Sequence, residues 1–263
     1  MAEVLRAVWR YRTFVMSAVL NDLRSRFARS RFGVAWVILQ PLAQVIIFST
    51  ILSNVLAARL EGVDNPYAYS TYLLSGLLCW SLFADVLTRQ LSVFVDNASI
   101  LKKVNIPRSA LPVIGVGSAL VNHLALMAVV LVALPILGFR PNVYWLWLIP
   151  MGLLTVALGT GIGLFLGTFN VFLRDVGQAT MVCLQFVFWM TPVVYPVSIV
   201  PDGAKALLSL NPVYPLVAGY QDLLVYARPP QLSLVPTSVF AIVTLGLAWF
   251  TFRRASSELV DSL

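Results

Sequence analysis

Charged side chains are scarce in this chain. Only 11% of its 263 residues are Asp, Glu, Lys or Arg, whereas soluble domains usually carry about 25%. The mean hydropathy is correspondingly high, at +0.86. This shortage argues against an ordinary soluble domain and indicates a protein whose bulk lies in lipid.

Cysteine is also rare, with Cys79 and Cys183 the only two in the sequence. Both fall in apolar stretches, and they lack the close spacing of metal ligands. Neither a disulfide nor a metal site is therefore expected. Both cysteines are interpreted as small core residues.

The sequence contains no nucleotide-binding loop. Four glycines fall within 159–167, but no Lys-Ser or Lys-Thr follows them and their surroundings are wholly apolar. Gly163 and Gly167 instead have the small-xxx-small spacing that lets two membrane helices approach closely. The chain is therefore not expected to hydrolyse ATP, and its loops contain no catalytic dyad that would suggest another enzyme.

Long uncharged stretches dominate what is present. A membrane-spanning helix needs about 20 apolar residues, and six of the seven longest stretches reach that length. The seventh, 206–221, is shorter and is interrupted by prolines. The pattern predicts an all-α polytopic membrane protein with six transmembrane helices. Their predicted bounds are 32–58, 65–88, 109–139, 141–173, 176–200 and 229–252.

The positions of the basic residues predict the orientation. Fourteen of the 18 lysines and arginines precede span one or lie after spans two, four and six. Alternating spans place all of these on one side, and basic residues near span ends favour the cytoplasm. Both termini are therefore expected to be cytoplasmic, and the net charge of +7 is interpreted as topological rather than as a nucleic-acid-binding surface. Because the first uncharged run begins only at Phe32, a cleavable signal peptide is not expected.

Residues 1–31 are too polar to span a membrane, yet they have helical periodicity. Polar residues recur every three or four positions on one face, and valines with Tyr11 recur on the other. The pattern predicts an amphipathic helix at the membrane interface. It is either a topogenic anchor or an elbow that carries force from a cytoplasmic partner.

The loop at 96–108 contains a second short helical pattern. Asp96 or Asn97 can cap it, and Pro107 ends it because the residue before a proline disfavours the α region. It is either an exposed docking helix or an interfacial loop whose lysines meet lipid headgroups. The residues alone leave both interpretations open.

Between spans five and six, residues 203–228 are apolar but broken at Asn211-Pro212. At about 1.5 Å per residue, neither half can cross the bilayer. Two short re-entrant helices are expected, and backbone breaks at that depth require a cavity or protein around them. With Pro192 and Pro196, they predict an outer gate.

Five strings, in this order along the chain, resemble the permease subunits of bacterial ABC exporters for polysaccharides and polyol phosphates. The most similar subgroups export O-antigen or capsule, and teichoic acid exporters are also similar. The strings are 24–36 with 40–41, 97–111, 170–176, 189–196 and 210–215.

The resemblance implies a homodimer of permeases in the bacterial inner membrane, with two separate nucleotide-binding ATPase subunits. ATP and Mg would be held by those subunits, and no cofactor is expected in this chain. The substrate implied is a lipid-linked polysaccharide. A drug or small-lipid exporter, an ion-coupled secondary transporter and an integral-membrane enzyme remain as alternatives.

The family's functional segments are implied at matching positions here. The implied coupling helix for the ATPase comprises Asn97, Ile100, Leu101, Lys102, Lys103, Asn105, Ile106, Pro107 and Arg108. The implied gate residues are Pro192, Pro196, Asn211 and Pro212, and the implied cytoplasmic polar pair is Arg174 and Asp175.

A path for sugars should be aromatic and polar but nearly uncharged, because sugars offer both C–H faces and hydroxyls. Aromatic residues can equally form lipid-facing interfacial belts, and each amide can bond a neighbouring helix. His123 in span three is either a neutral, hydrogen-bonded residue or part of a proton relay. The candidate path residues are Trp36, Gln40, Gln44, Tyr72, Trp80, Gln185, Trp189 and Tyr195.

Overall fold

The computed structural model describes residues 12–26, 30–51, 60, 62–98 and 109–255. Within these ranges the chain forms nine α-helices and no strand. The helices are α1 (Arg12–Arg26), α2 (Trp36–Thr50), α3 (Ala68–Asp96), α4 (Ala110–Ile136), α5 (Leu148–Phe172), α6 (Asp175–Met190), α7 (Asp202–Ser209), α8 (Tyr214–Leu224) and α9 (Val235–Ala255).

Four of the described helices are long and apolar enough to cross a membrane. They are α3, α4, α9, and α5 together with the 3-10 turn Val143–Trp147 that leads into it. The predicted all-α membrane class is therefore confirmed for the described part of the chain. The first predicted span is represented by α2, whose backbone is still helical at Ile51, where description stops before residue 60.

The fifth predicted span, 176–200, is helical only over Asp175–Met190. Thr191 leaves the helix with φ −94° and ψ 130°. It precedes Pro192, and a residue before proline is pushed toward extended angles. The chain then continues as turns and a short 3-10 helix at Val197–Ile199, so this helix ends ten residues earlier than predicted.

Helix α3 occupies the centre of the bundle and is the most buried of the four long helices. It packs against α2, α4, α5, α6 and α8, while α9 packs mainly on α5. Leu78, Cys79 and Val86 on α3 are completely buried. The core therefore forms around one helix, and α2 and α6 lie at the periphery with large apolar side chains exposed.

The close packing of α5 on α3 explains the glycines of α5. A Cβ built on Gly163 would lie 2.5 Å from the carbonyl oxygen of Leu87, and one on Gly167 would meet the carbonyl of Gln90. Gly161 faces α9 instead, where a Cβ would collide with Thr244. The predicted use of Gly163 and Gly167 in helix packing is thus confirmed.

Contacts between loops identify the two ends of the bundle. At one end Asn65 donates to the carbonyl of Leu137 (3.0 Å), and this is where α8 lies. At the other end the rings of Phe94 and Phe252 stack at 5.5 Å. These are called below the α8 end and the α1 end.

The N-terminal helix α1 is packed on the bundle rather than separate from it. Val19 is 5% exposed, and its side chain fills the space beside Gly117 on α4. Phe14, Met16 and Leu20 remain exposed. The described half of the predicted interface helix therefore forms a helix that contacts the membrane-spanning part directly.

Candidate functional site

A network of charged side chains joins three helices near the α1 end. Arg89 on α3 donates from Nε to Asp85 (2.7 Å) and from Nη1 to Asp22 on α1 (3.2 Å). Asn122 on α4 donates to the other oxygen of Asp85 (3.1 Å). The Arg89 side chain is only 12% exposed. This network ties the N-terminal helix to α3 and α4.

Two cavities meet at Asp85. One, of about 840 Å³, lies between α1, α3 and α4 and includes Asp22 and Arg89 in its wall. The other, of about 340 Å³, lies between α2, α3 and α4. The walls of the two cavities extend from the α1 end to the middle of the bundle, and the two together are called the polar tract below. The polar side chains of the second cavity are Gln40, Gln44, Ser81, Asp85, Asn122 and His123.

His123 is the buried end of this tract. It is 6% exposed, and its Nδ1 atom has no hydrogen-bond partner among the described residues. It faces the same cavity as Gln40 and Gln44. The hydrogen bonding expected of His123 is thus missing at its Nδ1 atom among the described residues.

The predicted path residues fall into four separate groups within one protomer. Gln40 and Gln44 line the polar tract. Trp80 is buried in the core, 5.2 Å from the ring of Phe188. Trp36 on α2 and Gln185 and Trp189 on α6 are exposed on the outside of the bundle. None of these three side chains is in the wall of either cavity of the polar tract.

Tyr72 and Tyr195 form the fourth group, at the α8 end, where side chains hydrogen-bond to the backbone of the chain that follows α6. The Tyr72 hydroxyl lies 3.3 Å from the carbonyl oxygen of Pro192 and 3.2 Å from that of Tyr195. Gln221 on α8 also donates to Pro192 (3.0 Å), and Tyr69 donates to Val194 (2.6 Å).

The predicted gate residues lie around this same segment. Asn211 donates to the hydroxyl of Thr191 (2.8 Å), and the carbonyl of Pro212 accepts from Thr237 on α9 (3.0 Å). Pro192 is buried and Pro196 is partly buried. The structure therefore brings Asn211, Pro192 and Pro196 to one end of the bundle, through side-chain contacts that span tens of residues of sequence.

A third cavity, of about 300 Å³, opens beside this segment. Asp222 in its wall is 5% exposed and pairs with Arg228 at 2.7 Å. The sequence interpretation missed this pair. The available signal was an acidic residue within an otherwise apolar helix, which in a membrane protein marks a paired or functional group.

Of the implied coupling segment, Asn97 alone is among the described residues. Its side chain donates back to the carbonyl of Val93 (2.8 Å) and so caps the end of α3. Residues Ile100, Leu101, Lys102, Lys103, Asn105, Ile106, Pro107 and Arg108 lie outside the described ranges.

The implied polar pair, Arg174 and Asp175, lies exposed at the turn between α5 and α6. The nearby Asn170 is buried and makes the structural contacts. Its Nδ2 donates to the carbonyl of Leu91 (3.1 Å), and its Oδ1 accepts from the backbone of Gly177 (3.0 Å). Asn170 therefore links α5 to α3 and α6, a role that an amide inside an apolar span could have indicated.

Comparison with known proteins gives a consistent family. The family model for ABC-2 type transporters matches residues 15–225, from α1 to the end of α8. An "O-antigen export system permease protein RfbA" of Klebsiella pneumoniae is 28% identical over 88% of both chains. The protein of that name from Myxococcus xanthus is 26% identical over 100% of both chains. The "Polysialic acid transport protein KpsM" of Escherichia coli is 21% identical over 94% of this chain and 95% of its own.

Proposed function

Because the chain belongs to the membrane family of ABC-2 type transporters, we propose that it is the permease subunit of an ATP-driven exporter of lipid-linked polysaccharide. As a family member it is a multi-pass membrane protein that works with an ATPase subunit. The proposed location is the bacterial inner membrane, and the proposed assembly is a homodimer with two ATPase subunits.

The observation that carries the substrate class is the extent of the similarity to the export permeases. The RfbA relatives named for O-antigen export align over 88% and 100% of both chains. The relative named for polysialic acid transport aligns almost as fully. Since the similarity covers spans, loops and gate segments together, a related glycan is the substrate that fits this chain best.

The polar tract suits such a substrate. Gln40, Gln44 and Asn122 can donate and accept hydrogen bonds, which matches the mixed donor and acceptor character of sugar hydroxyls. Asp85 is paired with Arg89, so the tract does not place an unpaired carboxylate beside the amides. Within the second cavity, hydroxyls can therefore exchange partners beside a carboxylate that is already paired.

The exposed aromatic and amide residues of α2 and α6 support the proposed homodimer. Trp36, Gln185 and Trp189 lie outside the single protomer, where a lipid-facing amide would be costly. A second copy placed against α2 and α6 would cover them. The translocation path would then be completed at the interface between two copies.

Energy would reach this path from the ATPase subunits. The segment 97–108 and the N-terminal helix are the proposed contact points. Arg89 connects α1 to α3 and α4 through Asp22 and Asp85, so a displacement of α1 would move the walls of the polar tract. This network physically links α1 to α3 and α4, as coupling between the ATPase subunit and the path would require.

Basic residues support an inward-facing α1 end. Arg174, Arg253 and Arg254 are exposed at that end. Cytoplasmic loops carry an excess of such residues. The α8 end, with its buried segment around Pro192, would then face the periplasm and act as the outer gate.

A complementation experiment tests the proposal. The test strain lacks its own permease and therefore keeps its O-antigen inside the cell. It receives this chain together with its ATPase subunit, and the glycan on the cell surface is measured. Export is expected with an active ATPase and none with an ATPase whose Walker lysine is replaced. Equal surface glycan in both strains would contradict ATP-driven export.

A drug or small-lipid exporter is the second candidate. A mostly apolar cavity of about 620 Å³ lies beside α6, with Phe83, Leu184 and Phe240 in its wall. Such a lining suits an acyl chain or a hydrophobic drug. ATP-dependent movement of a fluorescent short-chain lipid, with no movement of glycan, would favour this candidate.

A further inference from the structure

The cavity at the α8 end is separate from the polar tract. Its wall contains Tyr72 on α3, whereas the tract comes no nearer than Ser81 on the same helix. Nine helical residues separate these positions, which corresponds to about 14 Å. The residues that matter for its chemistry are Tyr72, Tyr214, Tyr226, Gln221, Asp222 and Arg228.

The charges in this cavity cancel each other. Arg228 contacts one carboxylate oxygen of Asp222 through Nε and Nη2, each at 2.7 Å. The second oxygen accepts from the backbone of Gln231 (3.1 Å). Both oxygens of the Asp222 carboxylate therefore have partners, and the pair adds no net charge to the cavity.

The backbone beside the pair is held in an unfavourable conformation. Ala227 has φ +49°, in the left-handed region that residues with a side chain rarely adopt. Its two neighbours, Tyr226 and Arg228, both line the cavity, and the guanidinium lies 4.6 Å from the centre of the Tyr226 ring. The ion pair with Asp222 thus holds the Arg228 guanidinium, and with it the Tyr226 ring, at the cavity wall.

This combination matches the chemistry of a sugar ring. Aromatic faces pack on the C–H faces of a pyranose, while carboxylate, amide and guanidinium groups bond its hydroxyls. A volume of about 300 Å³ is at the small end of ligand sites. A phosphate headgroup would require uncompensated positive charge, which the Asp222–Arg228 pair does not provide.

We propose that this cavity binds one neutral sugar residue at the α8 end. The assignment rests on the proposed function in one respect, because the bound residue would belong to the exported glycan. It adds a docking position beside the segment that Tyr72 and Gln221 hold by its backbone. A sugar seated there would contact the same side chains that fix the proposed gate.

Binding of simple glycosides to the full chain in lipid nanodiscs tests this. The probes are the methyl glycosides of glucose, galactose, mannose and N-acetylglucosamine, measured by saturation-transfer NMR. At least one is expected to bind saturably, with affinity reduced at least 10-fold in Tyr226→Ala and Tyr214→Ala. Trp147→Ala, an exposed aromatic at the same end, serves as the control and should bind as the wild type does.

A photoreactive version of the tightest-binding glycoside gives a test on the unaltered protein. Its label is expected on residues of the cavity wall, namely Tyr72, 196–198 or 214–232, and labelling confined to other parts of the chain would overturn the assignment. Unchanged affinity in both tyrosine variants, or no saturable binding of any probe, would also overturn it. Export by a chain that binds no glycoside would refute this site but not the proposed function. Glycoside binding without export would leave the site and refute the proposed function.

Discussion

Arg89 on α3 and Asp22 on α1 are 67 residues apart in sequence, yet their side chains are separated by only 3.2 Å. The same guanidinium also bonds Asp85, one turn away on its own helix. A single side chain thus connects the N-terminal helix to the central helix of the bundle, at the mouth of the polar tract.

Replacing Arg89 by Gln should separate ATP hydrolysis from export. The uncharged side chain leaves Asp22 and Asp85 without their shared cation, so α1 can move without displacing α3. ATPase activity of the assembled complex is expected to persist while surface glycan falls at least 10-fold. The melting midpoint should also fall, because a partly buried ion pair loses one partner.

Lys205→Ala is the matched control for that prediction. Lys205 also pairs with an aspartate, Asp202, at 2.7 Å, but on an exposed surface of the α8 end. Exposed pairs contribute little to stability. Export and melting midpoint should both match the wild type, and an equal loss in the two variants would refute a specific role for Arg89.

Gly167→Ala should destabilise the bundle. The added methyl would meet the carbonyl oxygen of Gln90 on α3, which is backbone and cannot rotate away. Overpacking of this kind costs about 1–3 kcal/mol. The melting midpoint in detergent, followed by size-exclusion fluorescence, is expected to fall by several degrees.

Gly246→Ala provides the comparison. This glycine lies on α9, and a Cβ there would have no atom within 4 Å beyond its own helix among the described residues. Since alanine favours helix by about 1 kcal/mol over glycine, its midpoint should stay the same or rise. A fall as large as that of Gly167→Ala would show that helix contact is not the cause.

Removing the hydroxyl from each of two core tyrosines is expected to have opposite effects on stability. The Tyr220 hydroxyl is buried and has no hydrogen-bond partner among the described residues, so Tyr220→Phe should keep or raise the melting midpoint. Tyr72→Phe removes contacts to Pro192 and Tyr195. It should lower stability by about 1 kcal/mol. Reversal of this order would contradict the described arrangement at the α8 end.

Replacing Lys102, Lys103 and Arg108 together by alanine should abolish export but leave the protein in the membrane. These residues belong to the segment proposed to contact the ATPase. Co-purification of the ATPase subunit and its stimulated hydrolysis are the measurements, and both should decline with export. Normal stimulation and normal export would remove this segment from the coupling mechanism.

Much of the fold could be predicted because lipid imposes simple rules on sequence. Uncharged length identified the long helices, and the spacing of Gly163 and Gly167 identified a close contact that the structure places against α3. Pro192 was assigned to the outer gate, but span five was predicted to continue past it to residue 200, whereas the helix ends at Met190. Residues 191–200 are still apolar, so hydropathy predicts that the helix continues. The prolines among them lack the backbone N–H that a continuing helix requires.

The candidate site could be predicted less well. Periodicity placed Gln40 and Gln44 on one helix face, but it could not identify Asn122 and His123 as their neighbours across the cavity. Trp80 and Trp189 were both candidate path residues because they are aromatic residues of predicted spans, yet Trp80 is buried and Trp189 is exposed. The Asp222–Arg228 pair depends on a left-handed turn at Ala227, which no local pattern indicates.

The most direct test of the central claim is movement of a lipid-linked glycan by purified components. The full chain and its ATPase subunits are placed in liposomes, and arrival of a fluorescent lipid-linked glycan on the opposite leaflet is followed with an impermeant glycosidase. Transfer that requires ATP hydrolysis, and that stops with Arg89→Gln, is the predicted result. Transfer at the same rate with a non-hydrolysable ATP analogue, or ATP-driven movement of small lipids but not of glycan, would contradict the account.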